Sequence, residues 1–272
     1  MAEELPPDDD LPPERPRRRR DRDREPGAKS GMSTGAIVGI VIGVIALLMC
    51  TCGTPIMIGI LLPAVQAVRE AAAKQQSQNN LKQMSLALSA QSDTFGGAYG
   101  PFAQGVGGPA KGHSFRVGLL PFMEQDNLYR AIDLTQPWDS AKNLPLTGTP
   151  VKTFLDPGNP ASQGTATPYR MFVGPGALFD GSGKPVNLIT IPDGSSNTIF
   201  TIAATETVAW AKPQELPYGP GVPIPPLGWY PRAGGFNAAF ADGSVRFIRN
   251  TIAEADLRSL IEAADGRGAG IE

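Results

Sequence analysis

Hydrophobic residues are concentrated in one stretch near the amino terminus of this 272-residue chain. No Asp, Glu, Lys, Arg or His occurs between Ser30 and Val68, and Ala36–Leu62 consists mainly of Ile, Val, Leu, Ala, Met and Gly. A spanning helix needs about 20 apolar residues, and a soluble helix of this length should carry a polar stripe. The pattern therefore predicts a transmembrane helix over residues 31–62. Pro55 predicts a kink within it.

Positive charge differs on the two sides of this stretch. Residues 1–30 contain seven arginines and one lysine, whereas the basic residues that follow are spread out, at Arg69, Lys74 and Lys82. Because Lys and Arg favour the cytoplasmic flank, we expect a single-pass protein of the cytoplasmic (inner) membrane. Its N-terminus should be cytoplasmic and its C-terminal domain extracytoplasmic. Signal-peptide cleavage is not expected, because the charged region is too long and no small-x-small site follows.

The tail, residues 1–30, is rich in Pro, Asp and Arg and has few large apolar side chains, which predicts disorder. Its arginines should lie near membrane lipid. Nucleic-acid binding is not expected, because acidic residues are interleaved and no aromatic ring is present to stack on bases.

Gly35, Gly39 and Gly43 repeat at a spacing of four within the apolar stretch. This spacing places them on one helix face, which makes them candidates for close helix–helix packing and self-association. The favoured alternative is that glycine is simply common in membrane helices.

Good helix formers continue the helix beyond the apolar stretch, over residues 63–92. Leu81, Met84 and Leu88 form a helical stripe, so this part should dock on the domain that follows.

Short apolar segments separated by glycine and proline follow, and they predict an α+β head domain over residues 93–265 with an antiparallel sheet. Asp242-Gly243 between apolar runs predicts a hairpin with a two-residue type I′ turn. A helix is expected over Ala253–Ala264, a long ordered loop over Lys212–Pro231, and a flexible C-terminus over residues 266–272. The predicted strands are Phe115–Leu120, Val151–Phe154, Tyr169–Val173, Thr198–Ala203 and the two halves of Phe236–Ile248.

The chain offers little catalytic chemistry. His113 is the single histidine, and Ser114 lacks the glycine of a nucleophile elbow because Arg116 stands there. Both cysteines, Cys50 and Cys52, lie in the apolar stretch, which makes zinc improbable. We therefore expect no catalytic residues, no metal site and no cofactor.

Three Asp-Gly-Ser triplets, at Asp180, Asp193 and Asp242, could offer oxygen ligands to calcium. Tight turns are the favoured interpretation, since Asp and Gly satisfy turn geometry.

Trp229 and Tyr230 lie in the proline-rich loop and are a candidate platform for a sugar ring or a peptide. The favoured alternative is that they pin the loop to the core.

Several short motifs occur in order between Leu61 and Asn250. They are Leu61-Leu-Pro-Ala-Val-Gln, Asn79-Asn-Leu-Lys-Gln-Met, Leu119-Leu-Pro-Phe-Met-Glu-Gln, Pro137-Trp-Asp-Ser, Asp193-Gly-Ser-Ser-Asn-Thr, Glu206-Thr-Val-Ala-Trp and Phe240-Ala-Asp-Gly-Ser. Together they resemble a bacterial family of uncharacterised prepilin-like proteins that is expanded in planctomycete-type bacteria. The resemblance implies a pilin-like fold, with a long N-terminal transmembrane helix carrying an extracytoplasmic head, and implies no reaction.

Two departures from that family matter. The chain lacks the prepilin cleavage motif Gly-Phe-Thr-Leu-x-Glu and has no acidic residue between Glu25 and Glu70. The family's histidine, ten positions before Asp-Gly, is Arg232 here.

The expected function is that of a membrane-anchored, pilin- or pseudopilin-like envelope protein with a structural or assembly role. Its partners would be itself or other pilin-like envelope proteins. The alternative is an anchored extracytoplasmic binding module for polysaccharide or peptide.

Overall fold

The computed structural model describes residues 32–49, 54–96, 112–182, 186–230 and 232–266. The predicted disordered tail, both cysteines and nearly all of the predicted flexible C-terminus lie outside these residues. The chain divides into two compact units, Met1–Gly59 and Ile60–Glu272. We call the second unit the body.

Helix α1, Thr34–Leu48, belongs to the first unit. Its N-terminus is capped by Ser33, whose hydroxyl accepts the N–H of Ala36 at 3.3 Å. Every residue of α1 is exposed, although the helix carries no charged side chain.

Helix α2, Thr54–Thr94, has 41 residues and contains Pro63. Pro55 is its second residue, a position where proline is tolerated because the first N–H groups of a helix have no partner within it. Residues 61–69 are exposed, and buried positions begin at Ser77. The predicted stripe of Leu81, Met84 and Leu88 is confirmed, since these side chains are at most 1% exposed.

The predicted transmembrane helix is wrong. Among the residues that the structure describes, no helix combines the length and the apolar character needed to cross a bilayer. Helix α1 has 15 residues, short of the roughly 20 required. Helix α2 is long enough, but it is charged from Arg69 onward. The predicted single-pass placement in the inner membrane, with the N-terminus inside and the head outside, is wrong for the same reason.

The predicted α+β class of the head is confirmed by an antiparallel sheet and short helices. In the described residues the sheet has four strands in the order β1-β3-β5-β6, beside a parallel pair β2-β4. The strands are β1 Ala166–Arg170, β2 Phe172–Val173, β3 Ile199–Ala209, β4 Leu216–Pro217, β5 Gly235–Phe240 and β6 Val245–Arg249. The short helices are α3 Phe115–Leu119, α4 Asp126–Ala131, α5 Leu144–Thr147 and α6 Glu254–Ile261, with single 3-10 turns at Leu120–Met123, Lys152–Phe154 and Leu188–Thr190.

Two hydrophobic clusters form the core of the body. The first joins the α2 stripe to aromatic residues that include Phe115, Tyr169, Phe200 and Trp210. The second joins Phe236 and Phe240 of β5 to Leu257, Leu260 and Ile261 of α6. Alternate residues of β5 thus serve different clusters, as expected for a strand covered on both faces.

The β5–β6 hairpin is confirmed, but its turn type differs from the prediction. A type I′ turn needs positive φ at both central residues, and of Asp242 and Gly243 only the glycine has it, with φ +82°. The N–H of Gly243 donates to Phe240 O at 3.0 Å, and that of Phe240 donates to Ser244 O at 2.8 Å. These bonds define a three-residue loop with a glycine bulge.

Two predicted strands are wrong. Phe115–Leu120 forms α3 and the start of a 3-10 turn, because the hydroxyl of Ser114 caps the N–H of Arg116 at 3.1 Å. Val151–Phe154 is mostly a 3-10 turn.

Candidate functional site

His113 and Ser114, the residues with catalytic potential at the start of α3, contact backbone carbonyl oxygens of other segments. Ser114 Oγ donates to Trp210 O at 2.7 Å. His113 is 1% exposed, and its Nε2 lies 2.7 Å from Gln136 O. The serine hydroxyl therefore positions α3 against the strand that ends near Trp210.

A buried ion pair joins α3 to the residues before β4. Arg116 and Glu215 have side chains 0% and 5% exposed, with Nη2 and Oε1 3.1 Å apart. The guanidinium also donates to Trp210 O at 2.8 Å and to Tyr169 O at 2.5 Å. Glu215 Oε2 accepts the N–H of Met171 at 2.9 Å. No sequence pattern predicts this pair, because its members are 99 residues apart.

A second buried polar cluster attaches α2 to the sheet. Asp156 is 1% exposed, and its carboxylate accepts the hydroxyls of Ser77 at 3.1 Å and Tyr230 at 2.8 Å. Tyr169 donates in turn to Ser77 Oγ at 2.9 Å. Burial raises the pKa of Asp156, whereas the hydrogen bonds from Gly158 N–H, Tyr230 and Ser77 lower it. This network fixes α2 and the proline-rich loop to one carboxylate.

The Asp-Gly-Ser triplets form turns. Asp180 and Asp242 each accept the N–H of the residue two positions later at 2.8 Å. The carboxylate of Asp193 accepts the N–H groups of Asp265 and Gly266 at 2.7 and 2.9 Å, which ties down the chain after α6. Within the described part of the chain, no three His, Cys, Asp or Glu side chains are grouped as a metal site.

Arg232, in the loop before β5, contacts α2. Glu70 Oε1 accepts the N–H groups of Arg232 and Ala233 at 3.1 and 3.0 Å. The Arg232 guanidinium donates to Gln66 Oε1. The contact therefore joins the loop before β5 to the end of the exposed part of α2, at Gln66 and Glu70.

The predicted helix-packing glycines, Gly35, Gly39 and Gly43, lie on α1. A Cβ at any of the three would meet nothing within 4 Å. The glycine face is therefore open in the described structure, and its packing role stays a prediction.

Trp229 and Tyr230, the predicted ligand platform, point in different directions. Tyr230 is 3% exposed and bonded to Asp156, whereas Trp229 is 42% exposed. Of the two rings, the indole alone is available to a ligand, and its binding role stays a prediction.

Trp229 lines a depression of about 350 Å³ together with Thr205, Gly228, Gly234 and others. A second depression of about 430 Å³ shares Pro226, Leu227 and Asn250 with it and continues along Pro223 and Pro225. We call the two together the Trp229 groove. Its lining residues are Thr205, Pro223, Ile224, Pro225, Pro226, Leu227, Gly228, Trp229, Tyr230, Gly234, Phe236, Asn250, Ile252, Glu254 and Leu257.

Residues 66–190 match a family described as "Protein of unknown function (DUF1559)". No curated protein and no solved structure matches the chain. The match covers α2 from Gln66 and the first part of the sheet, and it carries no activity.

Proposed function

We propose that this chain is a non-catalytic structural protein that assembles with further copies of itself through the exposed apolar side chains near the start of α2. The observation that carries the proposal is the distribution of exposed hydrophobic side chains. Leu61, Leu62, Val65 and Val68 of α2 are 53%, 55%, 46% and 68% exposed.

Exposed apolar side chains are much sparser in the rest of the body. Among the described residues after Val68, the large ones are Leu86, Phe95, Leu144 and Trp229. Since contiguous exposed apolar surface marks an interaction site, the helical segment is the strongest candidate for an assembly surface. The open glycine face of α1 adds a place where a second helix can approach closely.

The absence of catalysis is part of the proposal. It is supported by Arg116, Ser114 and Asp156, because their side chains are hydrogen-bonded to other parts of the fold. The resemblance to prepilin-like proteins supports an assembly subunit over an enzyme.

Sedimentation velocity of the full-length protein tests the assembly role. We expect a concentration-dependent oligomer, and Val68→Asp should weaken the association at least about tenfold, equivalent to about 1.4 kcal/mol. Leu86→Asp is the matched control, because Leu86 is also an exposed apolar residue of α2 and should leave the oligomer unchanged. A wild-type protein that remains monomeric up to about 100 µM contradicts the proposal.

A second candidate function is a binding module for polysaccharide or peptide. The exposed indole of Trp229, which lines a depression of about 350 Å³, favours it.

A further inference from the structure

We infer that the outer edge of strand β6 pairs antiparallel with the same edge of a second copy of this chain, so that the four-stranded sheets of the two copies become one continuous sheet. A contact that uses the same strand on both copies is isologous and closes as a dimer. The inference goes beyond the assembly proposed for the start of α2, because it concerns a different surface of the body.

Strand β6 lies at the end of the sheet. The strand order is β1-β3-β5-β6, and no further strand of the described residues pairs with β6. In an antiparallel pair, the backbone groups of alternate residues point toward the partner strand, and those of the residues between them point away. An edge strand therefore presents N–H and C=O groups to which another strand can bind.

The register of the β5–β6 pair identifies the residues whose backbone groups point away from β5. Asn250 N–H donates to Gly234 O at 2.8 Å. Phe240 N–H donates to Ser244 O at 2.8 Å, so the even-numbered positions between these two pairs face β5. The residues that face outward are Val245, Phe247 and Arg249.

Most of the outward backbone groups are open to a second strand. Within the part of the chain that the structure describes, Arg249 O accepts the N–H of Ile252 at 3.1 Å, and the other outward groups have no hydrogen-bond partner. Arg249 O keeps a second lone pair, as every backbone carbonyl oxygen has two. The edge therefore carries both donors and acceptors.

These groups are self-complementary about Phe247. When the Phe247 residues of two copies lie opposite each other, each Phe247 N–H donates to the Phe247 oxygen of the other copy. Arg249 N–H then donates to Val245 O, and Val245 N–H donates to Arg249 O. The two-fold symmetry repeats each bond, so the donors and acceptors of both strands are matched.

The side chains of β6 favour this register over a neighbouring one. Pairing Val245 with Phe247 would place the two Arg246 side chains directly opposite each other, and like charges in this position destabilise a sheet. With Phe247 at the centre, Arg246 lies opposite Ile248. Arg249 lies opposite Val245, so no arginine faces an arginine.

The charges at the two ends of the strand favour a second copy as the partner. Asp242, in the turn before β6, is exposed, and so is Arg249 at the end of β6. Among the described residues, no side chain forms an ion pair or a hydrogen bond with the Arg249 guanidinium. Antiparallel pairing brings the acidic end of one strand toward the basic end of the other, which makes the two edges electrostatically complementary.

Sedimentation velocity of the full-length protein tests the inference. Val245→Pro removes an outward N–H and places the proline ring in the path of the second strand. Proline is tolerated at the first residue of an edge strand, so the fold should be kept. We expect association at least about tenfold weaker than in wild type. Val245→Ala is the matched control, because it shortens the same side chain and keeps the N–H, and its association should be unchanged.

Arg249→Glu supplies a second variant, at an exposed position. It places a carboxylate near Asp242 of the other copy, so association should weaken severalfold at low salt. The difference from wild type should shrink at about 1 M salt, where charges are screened. Arg130→Glu is the control for charge reversal, because the Arg130 side chain is 77% exposed and lies on α4.

Amide hydrogen exchange of the wild-type protein tests the same contact without any substitution. The amides of Phe247 and Arg249 should exchange more slowly at high protein concentration than at low concentration. The amides of Arg246 and Ile248 should be protected at both, because they face β5. Exchange of Phe247 and Arg249 that is independent of concentration overturns the inference.

Val68→Asp separates this contact from the assembly proposed for α2. Association that is lost in Val68→Asp and equal in Val245→Pro and Val245→Ala overturns the inference and leaves the α2 assembly standing. Association that is lost in Val245→Pro and unchanged in Val68→Asp supports the inference and contradicts the α2 assembly. A wild-type protein that stays monomeric up to about 100 µM contradicts both.

Discussion

Replacing Glu215 with Gln tests how the body tolerates a fully buried cation. Burial lowers the pKa of the Arg116 guanidinium below its ordinary value, and the charge and hydrogen bond of Glu215 raise it again. Three carbonyl oxygens also accept from this guanidinium, those of Trp210, Tyr169 and Lys212. Glutamine keeps the shape of the side chain and removes its charge.

The expected loss of unfolding free energy is large. Removing one partner of a buried ion pair costs about 3–5 kcal/mol, because the other charge remains without compensation. The three carbonyl oxygens still face Arg116 in the variant, so we expect the lower end, about 3 kcal/mol. For a domain of this size, about 2–4 °C per kcal/mol converts this into a fall of about 6–12 °C in Tm.

Thermal and urea unfolding at pH 7, followed by tryptophan fluorescence, measure the effect. Asp126→Asn is the control, because Asp126 and Arg130 form an ion pair at 2.6 Å with side chains 45% and 77% exposed. Breaking this exposed pair should cost less than about 1 kcal/mol. The reasoning is refuted when Glu215→Gln lowers stability no more than this control.

Two further predictions concern a close contact and an acid titration. Gly235→Ala should destabilise the body by about 1–3 kcal/mol, because the new Cβ would lie 2.2 Å from the carbonyl oxygen of Ile248; an unchanged urea midpoint contradicts this. Hydrogen bonds from Thr135 and Lys142 lower the pKa of Asp133 from 3.8 to about 2. Its stabilising contribution is therefore present above pH 3.8 and lost as the pH falls toward 2. Asp133→Asn should be less stable than wild type at pH 5 and equal to it below pH 2 in urea titrations, and a constant difference would contradict the assignment.

Local patterns predicted the elements whose formation depends on neighbours in sequence. The β5–β6 hairpin followed from apolar alternation around Asp242-Gly243, and the buried face of α6 followed from Leu257, Leu260 and Ile261. The buried stripe of α2 was predicted from sequence in the same way. In each case the spacing of apolar residues and the turn residues carry the information.

The predicted membrane span was wrong because, among the described residues, no helix combines the required length with the required apolar character. Helix α1 has 15 residues, and α2 carries charged side chains from Arg69 onward.

The candidate groove was predicted only in part. The proline-rich loop drew attention to Trp229 and Tyr230, but their neighbours Thr205, Phe236 and Asn250 come from β3, β5 and the end of β6. No pattern along the chain shows that these segments meet.

Sequence patterns alone predicted the helical stripe, the hairpin, the α+β class of the body and the segment on which exposed apolar residues are concentrated. The packing of distant segments establishes which polar groups lie inside. Arg116 looks like a surface residue until Glu215 and three carbonyl oxygens surround it, and Tyr230 looks like a ligand platform until Asp156 accepts its hydroxyl. The physical reason is that burial of a polar group depends on partners distant in sequence, whereas helix and turn formation depend on residues a few positions apart.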